Sequence, residues 1–495
     1  MKKMVCLLLV VLMVLSMTSC GKTDTTSKKK TNANSAKITD TYSGKFRVGF
    51  GRRNITPDYL GVPLQGFGNV DARKSQGCSD YIYTNCIAIS DEKDNTVLFI
   101  AIDSCGIADA YATPYRKSIS SATGVPVDNI ILNASHTHSA PSVSSGNAEK
   151  SPMIAQYRRD LAVWLVEAAV ESLNDRAPSK VAVADTEAVG LSFIRHYFDV
   201  NGLCFGDNHN SISHADPARH TTNVDPTMHV LKFDRSQTKE KKDVYFFNWR
   251  AHPTRNGAIK EYDISADTVG QMRIAFEEAT GALCSYYQGA AGNINSTTKI
   301  ASEATYPSDY VGHGKALAEY AVAASKNMTN VKSGNISVKT DTITASINHK
   351  LDNMVPFAKE VQAVFTKTNE PHEAQRLAMT QGLYSVYHCN AIVLRAGMAA
   401  TGKIPISSVA IGNELAFTFV PYEMFDTNSV YIEDNSPYKY TFVQGYSNGA
   451  LGYIPSAYGF EYGCYESDTC KYVPGTGETI ADTLLKELKA SKSGK

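Results

Sequence analysis

Apolar positions along this chain switch repeatedly between a period of two and a period near 3.6. Phe46-Arg-Val-Gly-Phe-Gly51 alternates and predicts a strand that opens the folded region. Ile82–Ser90 and Thr96–Asp103 predict two more, joined by the charged turn Asp91–Asn95. Short apolar runs predict strands at Asn129–Leu132, Val181–Asp185, Met228–Phe233, Val244–Trp249 and Leu283–Gln288, and a hairpin pairs Ile404–Ile411 with Leu415–Val420 around Gly412-Asn413. Between them, Pro152–Leu173 carries Tyr157, Leu161, Trp164, Leu165 and Ala168 on one helical stripe. Helices are also expected after Ser265 as N-cap, over Asp309–Ser325, over Glu373–Tyr387 and over Glu478–Leu488. Strands and helices interleave throughout, which predicts an α/β or mixed α+β fold: a sheet core, flanking helices and a site at strand ends. No low-complexity linker interrupts residues 46–495, so they read as one domain.

The N-terminus falls outside this pattern. Lys2 and Lys3 precede an apolar core, Val5 to Leu15, and then Ser16-Met-Thr-Ser-Cys20. The core is too short to span a bilayer. Small residues before a cysteine resemble a bacterial lipoprotein signal, which implies that residues 1–19 are removed and Cys20 is lipidated. Met17 is unusual at its position, so a cleaved secretory signal is the alternative. Residues 20–45 are polar and nearly free of large apolar side chains, and are expected to be a disordered tether. The expected location is extracytoplasmic, anchored to the bacterial cell membrane through Cys20, or secreted.

Composition adds two exclusions. The 49 basic and 49 acidic side chains balance, so nothing suggests a nucleic-acid partner. The ten cysteines are scattered without Cys-x-x-Cys, which excludes a zinc ribbon or a disulfide scaffold. Cys464 and Cys470 are close enough in sequence to pair, or to be free buried thiols.

Candidate chemistry gathers where apolar strands stop. Asn133-Ala-Ser-His-Thr-His-Ser-Ala-Pro141 follows a strand, and in extended backbone His136 and His138 would face the same side. Phe246-Phe-Asn-Trp-Arg-Ala-His252 and Phe417-Thr-Phe-Val-Pro-Tyr-Glu423 place a histidine and a carboxylate in equivalent positions. Tyr453 and Tyr465 lie in a Gly-rich aromatic stretch. Two histidines and a carboxylate suit a catalytic zinc with one position left for water, whose pKa the metal lowers to about 7. Taken singly, His252 also fits a satisfied core histidine, Glu423 a helix N-terminal acid and Tyr453 a packed aromatic.

Together these stretches resemble the neutral, non-lysosomal ceramidase family over Arg47 to Glu466. The marks are Val48-Gly-x-Gly with Ile55-Thr, Ser135-His-Thr-His-Ser-Ala-Pro141 and Asp225-Pro-Thr-Met-His-Val-Leu-Lys-Phe233. They continue with Asn248-Trp-x-Ala-His-Pro-Thr254, Ile264-Ser-Ala-Asp267, Ala291-Gly-Asn293, Val420-Pro-x-Glu423, Tyr453 and Tyr465-Glu466. The resemblance implies a Zn²⁺ held by His136, His252, Glu423 and Tyr453, with His138, Arg195 and Tyr465 around the scissile carbonyl of an N-acyl amide. His138 would relay a proton to the departing amine, and Arg195 and Tyr465 would hold the oxyanion.

Three departures bear on the substrate. The family's serine position is occupied by Asn295, which cannot be a nucleophile, with Ser296 beside it. Tyr197 to Thr222, carrying Asp207, His209, His214, Asp216 and His220, does not resemble the family there, and reads either as a site-edge loop or as a solvated insertion with its own metal site. The chain ends at Lys495, shortly after Tyr465, so the family's C-terminal immunoglobulin-like domain is expected to be absent. The partner expected is therefore a small-molecule or lipid amide: ceramide, or a more polar amide or ester cleaved by the same chemistry. The remaining alternative is a lipoprotein that binds a ligand without catalysis.

Overall fold

The computed structural model describes residues 42–67, 73–144, 151–207, 217–304, 307, 309–368 and 371–494. The signal expected at 1–19 and the tether up to residue 41 lie outside them, as do His209, His214 and Asp216. Among the described residues no helix is long and apolar enough to cross a membrane.

Three sheets organise the mixed α/β fold. In the first, the strand order is Ile130–Ala134, Thr96–Ile102, Tyr83–Ser90, Arg47–Asn54 and Ala177–Pro178. In the second it is Leu283–Gln288, Val244–Trp249, Thr227–Asp234, Lys180–Glu187 and Thr329–Val331. The third runs Ile336–Ser346, Thr401–Ile411, Leu415–Phe419 and Tyr440–Gln444. Most neighbours are antiparallel, but each sheet contains one parallel pair at its edge: Thr96–Ile102 with Ile130–Ala134, Val244–Trp249 with Leu283–Gln288, and Leu415–Phe419 with Tyr440–Gln444.

One apolar cluster is shared by all three sheets. Phe99 of the first, Phe246 of the second and Phe417 of the third meet with ring centroids 5.0–6.0 Å apart. Burying each such side chain is worth about 1.5–3 kcal/mol. The Tyr287 hydroxyl, inside the same cluster, donates to the Phe99 carbonyl at 2.8 Å, so its polar end is satisfied where water cannot reach it. Outside the core, the helix Pro152–Asn174 lies directly on Arg47–Asn54. The Gly-x-Gly of that strand is what permits this: a Cβ at Gly49 would come within 2.0 Å of the Ser172 carbonyl oxygen, and one at Gly51 within 2.1 Å of the Ala168 oxygen.

Several sequence expectations need correction. The helix expected after Ser265 spans Asp267–Thr280 with Ala266 as its N-cap residue; the Ser265 hydroxyl instead accepts the Asp267 N–H at 2.8 Å. The single helix expected over Glu373–Tyr387 is two, Pro371–Met379 and Val386–Ala396. The chain between them turns through Gly382 in the left-handed region and restarts with Ser385 accepting from the His388 N–H. The helix Val355–Thr368 and the long strand Ile336–Ser346 were not anticipated. Cys464 and Cys470 are buried free thiols.

Candidate active site

The parallel pairs explain where chemistry collects, because their carboxyl ends converge. Beyond Thr96–Ile102 comes Cys105, and beyond Ile130–Ala134 come His136 and His138. Beyond Val244–Trp249 comes His252, and beyond Leu283–Gln288 comes Asn295. Glu423 follows Leu415–Phe419 and Tyr446 follows Tyr440–Gln444. All except Tyr446 line one cleft of about 520 Å³, together with Arg195, Tyr453, Tyr465, Gln65, Phe67, Thr254 and Tyr387. Crevices at the carboxyl ends of parallel strands are where open sheets bind ligands.

Three donors meet at its base. His136 Nε2 lies 3.4 Å and His252 Nε2 3.3 Å from Glu423 Oε2. Both rings point their Nδ1 at a backbone carbonyl, which can only accept: Cys105 O at 2.5 Å for His136 and Ile294 O at 2.9 Å for His252. Each Nδ1 is therefore protonated and each Nε2 can present a lone pair once any proton it holds is displaced, the arrangement in which ligand imidazoles are held. Two lone pairs and a carboxylate facing one point fit a divalent cation. The electrostatics agree. Burial opposes charge on His136, yet the Cys105 thiol and the Glu423 carboxylate outweigh it and push the group up to about 10. Burial would raise Glu423, but the two histidines hold it well below the carboxylate range. A proton occupies the place where positive charge is required.

His136 and His138 do share the site, but not by strand alternation. The strand ends at Ala134, and His136 turns with φ of 66°, a left-handed conformation rare for a residue with a side chain. Main-chain bonds from Ser135 N to Ile102 O and from His136 N to Ser104 O hold that turn. The result brings His138 Nε2 to 3.3 Å from His136 Nε2. Burial, then the neighbouring histidines, push His138 well below the usual imidazole range, so it is neutral. Burial and then Arg195 push His252 down to about 4.

Tyr453 stands opposite Glu423 in a short parallel bridge, which aims both into the cleft. Burial, then Glu423, raise its phenol well above the ordinary range, so with no cation present it keeps its proton. Tyr465, the first residue of the short helix Tyr465–Thr469, sets its ring 5.6 Å from that of Tyr453. The Arg195 guanidinium lies 5.6 Å over Tyr453, donates from Nη2 to Gly292 O at 2.7 Å, and reaches His252 Nε2 from Nη1 at 3.3 Å. Asn295 lines the cleft and is bridged to His252; its Nδ2 donates to Asp207 Oδ2 at 2.7 Å. Ser296 is buried, with its hydroxyl outside the cleft lining.

Sequence reasoning missed four groups. Glu466 is fully buried and pairs through Oε1 with Arg195, while Oε2 accepts from His196 Nε2 at 2.8 Å. Its place directly after Tyr465 was the available signal. Tyr446 packs its ring 4.2 Å from His136 and points its hydroxyl at Glu423 from 3.5 Å. Cys105 and Tyr446 both follow apolar strands, as the chosen residues do. Tyr387 arrives from the helix Val386–Ala396, at the end of the stretch expected to be helical over Glu373–Tyr387. The region 197–222 adjoins the site: His196–Asp199, Cys204–Gly206 and Pro217–His220 form a small sheet from which Asp207 reaches Asn295. His220 pairs with Glu303 at 2.7 Å.

Behind His252, Arg250 is locked by Glu433 at 3.1 Å and Asp225 at 3.2 Å. Glu433 also faces His229, which donates to Asp185 at 2.7 Å.

Fold and cleft together define a mixed α/β protein built on three larger sheets, with a largely buried His–His–carboxylate cluster. The family model described as "Neutral/alkaline non-lysosomal ceramidase, N-terminal" matches residues 46–350, and the chain belongs to that family. Among curated proteins it is similar to the neutral ceramidases of Drosophila pseudoobscura pseudoobscura and Drosophila melanogaster, each 26% identical over 101 residues. That stretch is 20% of this chain and 14% of each relative. In fold it is similar to the crystal structure of neutral ceramidase from Pseudomonas aeruginosa, with a TM-score of 0.66 at 16% identity over 91% of this chain and 75% of that one. A ceramidase structure described as complexed with C2 gives a TM-score of 0.68 at the same identity and coverage.

Proposed function

We propose that this protein is a zinc-dependent hydrolase that cleaves the amide bond of ceramide or a related N-acyl amide. One observation carries the reading: His136, His252 and Glu423 converge with both Nδ1 atoms committed to backbone carbonyls, in the cleft that also holds Arg195 and Tyr465. Tyr453, beside Glu423, would complete the ligand set. Zinc, when bound, supplies a Lewis acid that polarises the carbonyl and acidifies water. Arg195 and Tyr465 bind the carbonyl oxygen and the negative charge that develops on it. His138, neutral and 3.3 Å from His136, takes a proton from water and passes it to the departing amine. Asn295, tied to Asp207, orients substrate and does not attack it.

A second reading keeps this chemistry with a more polar amide or ester. It is favoured by Gln65, Thr254 and Asn295, which share the lining with Phe67 and Tyr387. We further propose that the protein acts outside the cytoplasm, lipidated on Cys20. The experiment is metal analysis joined to hydrolysis of N-acyl amides and esters of graded chain length at neutral pH, with and without chelator. About one zinc per chain is expected, lost in His252→Ala together with activity. Full occupancy in His252→Ala, or activity that resists chelation, overturns the assignment.

A further inference from the structure

We propose that an exposed apolar band beside the cleft docks on the surface of a zwitterionic lipid bilayer. The proposal rests on the reading of the cleft as a site for an amphiphilic amide. The band begins at the tip of the hairpin between His196–Asp199 and Cys204–Gly206, where Val200 is 78% and Leu203 68% exposed. At its base Phe198 packs edge-on against Tyr462 at 5.1 Å, and Tyr462 is 41% exposed. The Tyr384 ring, 48% exposed, lies against Gly463. Tyr387, three residues further on and 38% exposed, lines the cleft and meets Tyr465 at 5.9 Å. Side chains that belong inside a protein thus run from a loop tip to the cleft wall.

Two features select a bilayer as the occupant. The band is continuous with the cleft through Tyr387, so a protein partner seated on it would cover the mouth, whereas a fluid lipid surface would deliver substrate there. Its flanking charges have both signs, Arg219 stacked over Phe198 and the exposed Glu461 beside Tyr462, which fits a neutral headgroup layer better than an acidic one. Tyrosines with an apolar body and a polar tip are the side chains that settle at such a boundary.

The test uses residues 20–495 with Cys20→Ser, so that no lipid anchor contributes, and phosphatidylcholine vesicles. This protein is expected to co-sediment with the vesicles. Combining Val200→Ser, Leu203→Ser, Tyr384→Ser and Tyr462→Ser is expected to lower the partition coefficient about tenfold or more, as removal of interfacial apolar area does. Hydrolysis of a short, water-soluble N-acyl amide should stay within about twofold in the variant, while hydrolysis of vesicle-borne amide falls with binding. Equal vesicle binding by the two proteins overturns the proposal. So does concentration-dependent self-association of the parent that the variant loses, which would make the band a contact between copies. If neither protein cleaves the soluble amide yet binding differs as expected, the catalytic reading fails and the docking surface stands.

Discussion

Replacing Glu466 with glutamine tests how the cleft holds its positive charge. The Glu466 carboxylate is 1% exposed and serves two donors, Arg195 and His196 Nε2. Glutamine keeps the shape but removes the charge, and it offers one acceptor where two were used. Its amide N–H₂ would then confront His196 Nε2–H. Relief requires His196 to move its proton to Nδ1, which is buried and has no partner. That group alone costs about 1–3 kcal/mol. Breaking a buried ion pair by removing one partner costs about 3–5 kcal/mol in all. Against a net stability of roughly 5–15 kcal/mol the variant still folds, so the loss should be read in catalysis. Arg195 would retain Gly292 O and His252 as anchors, but its guanidinium would no longer be fixed where the proposed reaction places the oxyanion. The expectation is a fall in kcat of about 10²–10³, or 2.7–4 kcal/mol of transition-state stabilisation, with KM changed little and bound zinc unchanged. Because Glu466 acts through Arg195, the double variant with Arg195→Ala should be no worse than Arg195→Ala alone, within about threefold. Multiplicative losses in the double variant, or a Glu466→Gln enzyme within about threefold of wild type, would refute the reasoning.

Other outcomes follow from the same geometry. On the proposed reading, in which neither Asn295 nor Ser296 is the nucleophile, Asn295→Ala and Ser296→Ala should each lower turnover by about 10- to 100-fold at most; abolition by Ser296→Ala with zinc retained would mean a serine mechanism. His229 is largely buried, which opposes its charge, but Asp185 and Glu433 hold it protonated up to about 9. A raised imidazole stabilises the fold fully below its unfolded value near 6.5 and loses that contribution as pH rises through about 9. The thermal midpoint should therefore fall across this window in wild type and fall less in His229→Asn; parallel curves would exclude the assignment. Labelling with a clickable fatty acid should mark the wild-type protein and not Cys20→Ser, and a Cys20→Ser protein that stays with membranes would show that another element anchors it.

Much of the fold could be read because its strands are short apolar runs with clear stops. Val244–Trp249 and Leu283–Gln288 occur as expected from sequence. The positions beyond strand ends also pointed to His136, His252 and Glu423. What failed was geometry that a local pattern does not carry. The approach of His136 to His138 depends on a left-handed residue, which period-two reasoning does not anticipate. The helix Val355–Thr368 carries Val361 and Phe365 at helical spacing, but Pro356 falls in its first turn, where proline is tolerated, and reads from sequence as a breaker. The contact between Arg195 and Glu466 joins segments some 270 residues apart, and no periodicity reports such a pairing. Asp207 and Asn295 meet for the same reason, across a region unlike the family's.

Each of the three sheets supplies one member of the candidate cation centre, at positions 136, 252 and 423. In an unfolded chain those donors are separated by more than a hundred residues each, so they have no local affinity to retain an ion. A cation held there reads the whole assembly at once: peeling any one sheet away dissolves the coordination. Occupancy is therefore linked to global rather than local opening. At a free ion concentration one hundred times the dissociation constant the native state gains about 2.7 kcal/mol, and all of it is withdrawn in a single step when the sheets part. Denaturation in the presence of metal should be steeper and later than in its absence, and amide exchange in all three sheets should slow together when the ion binds.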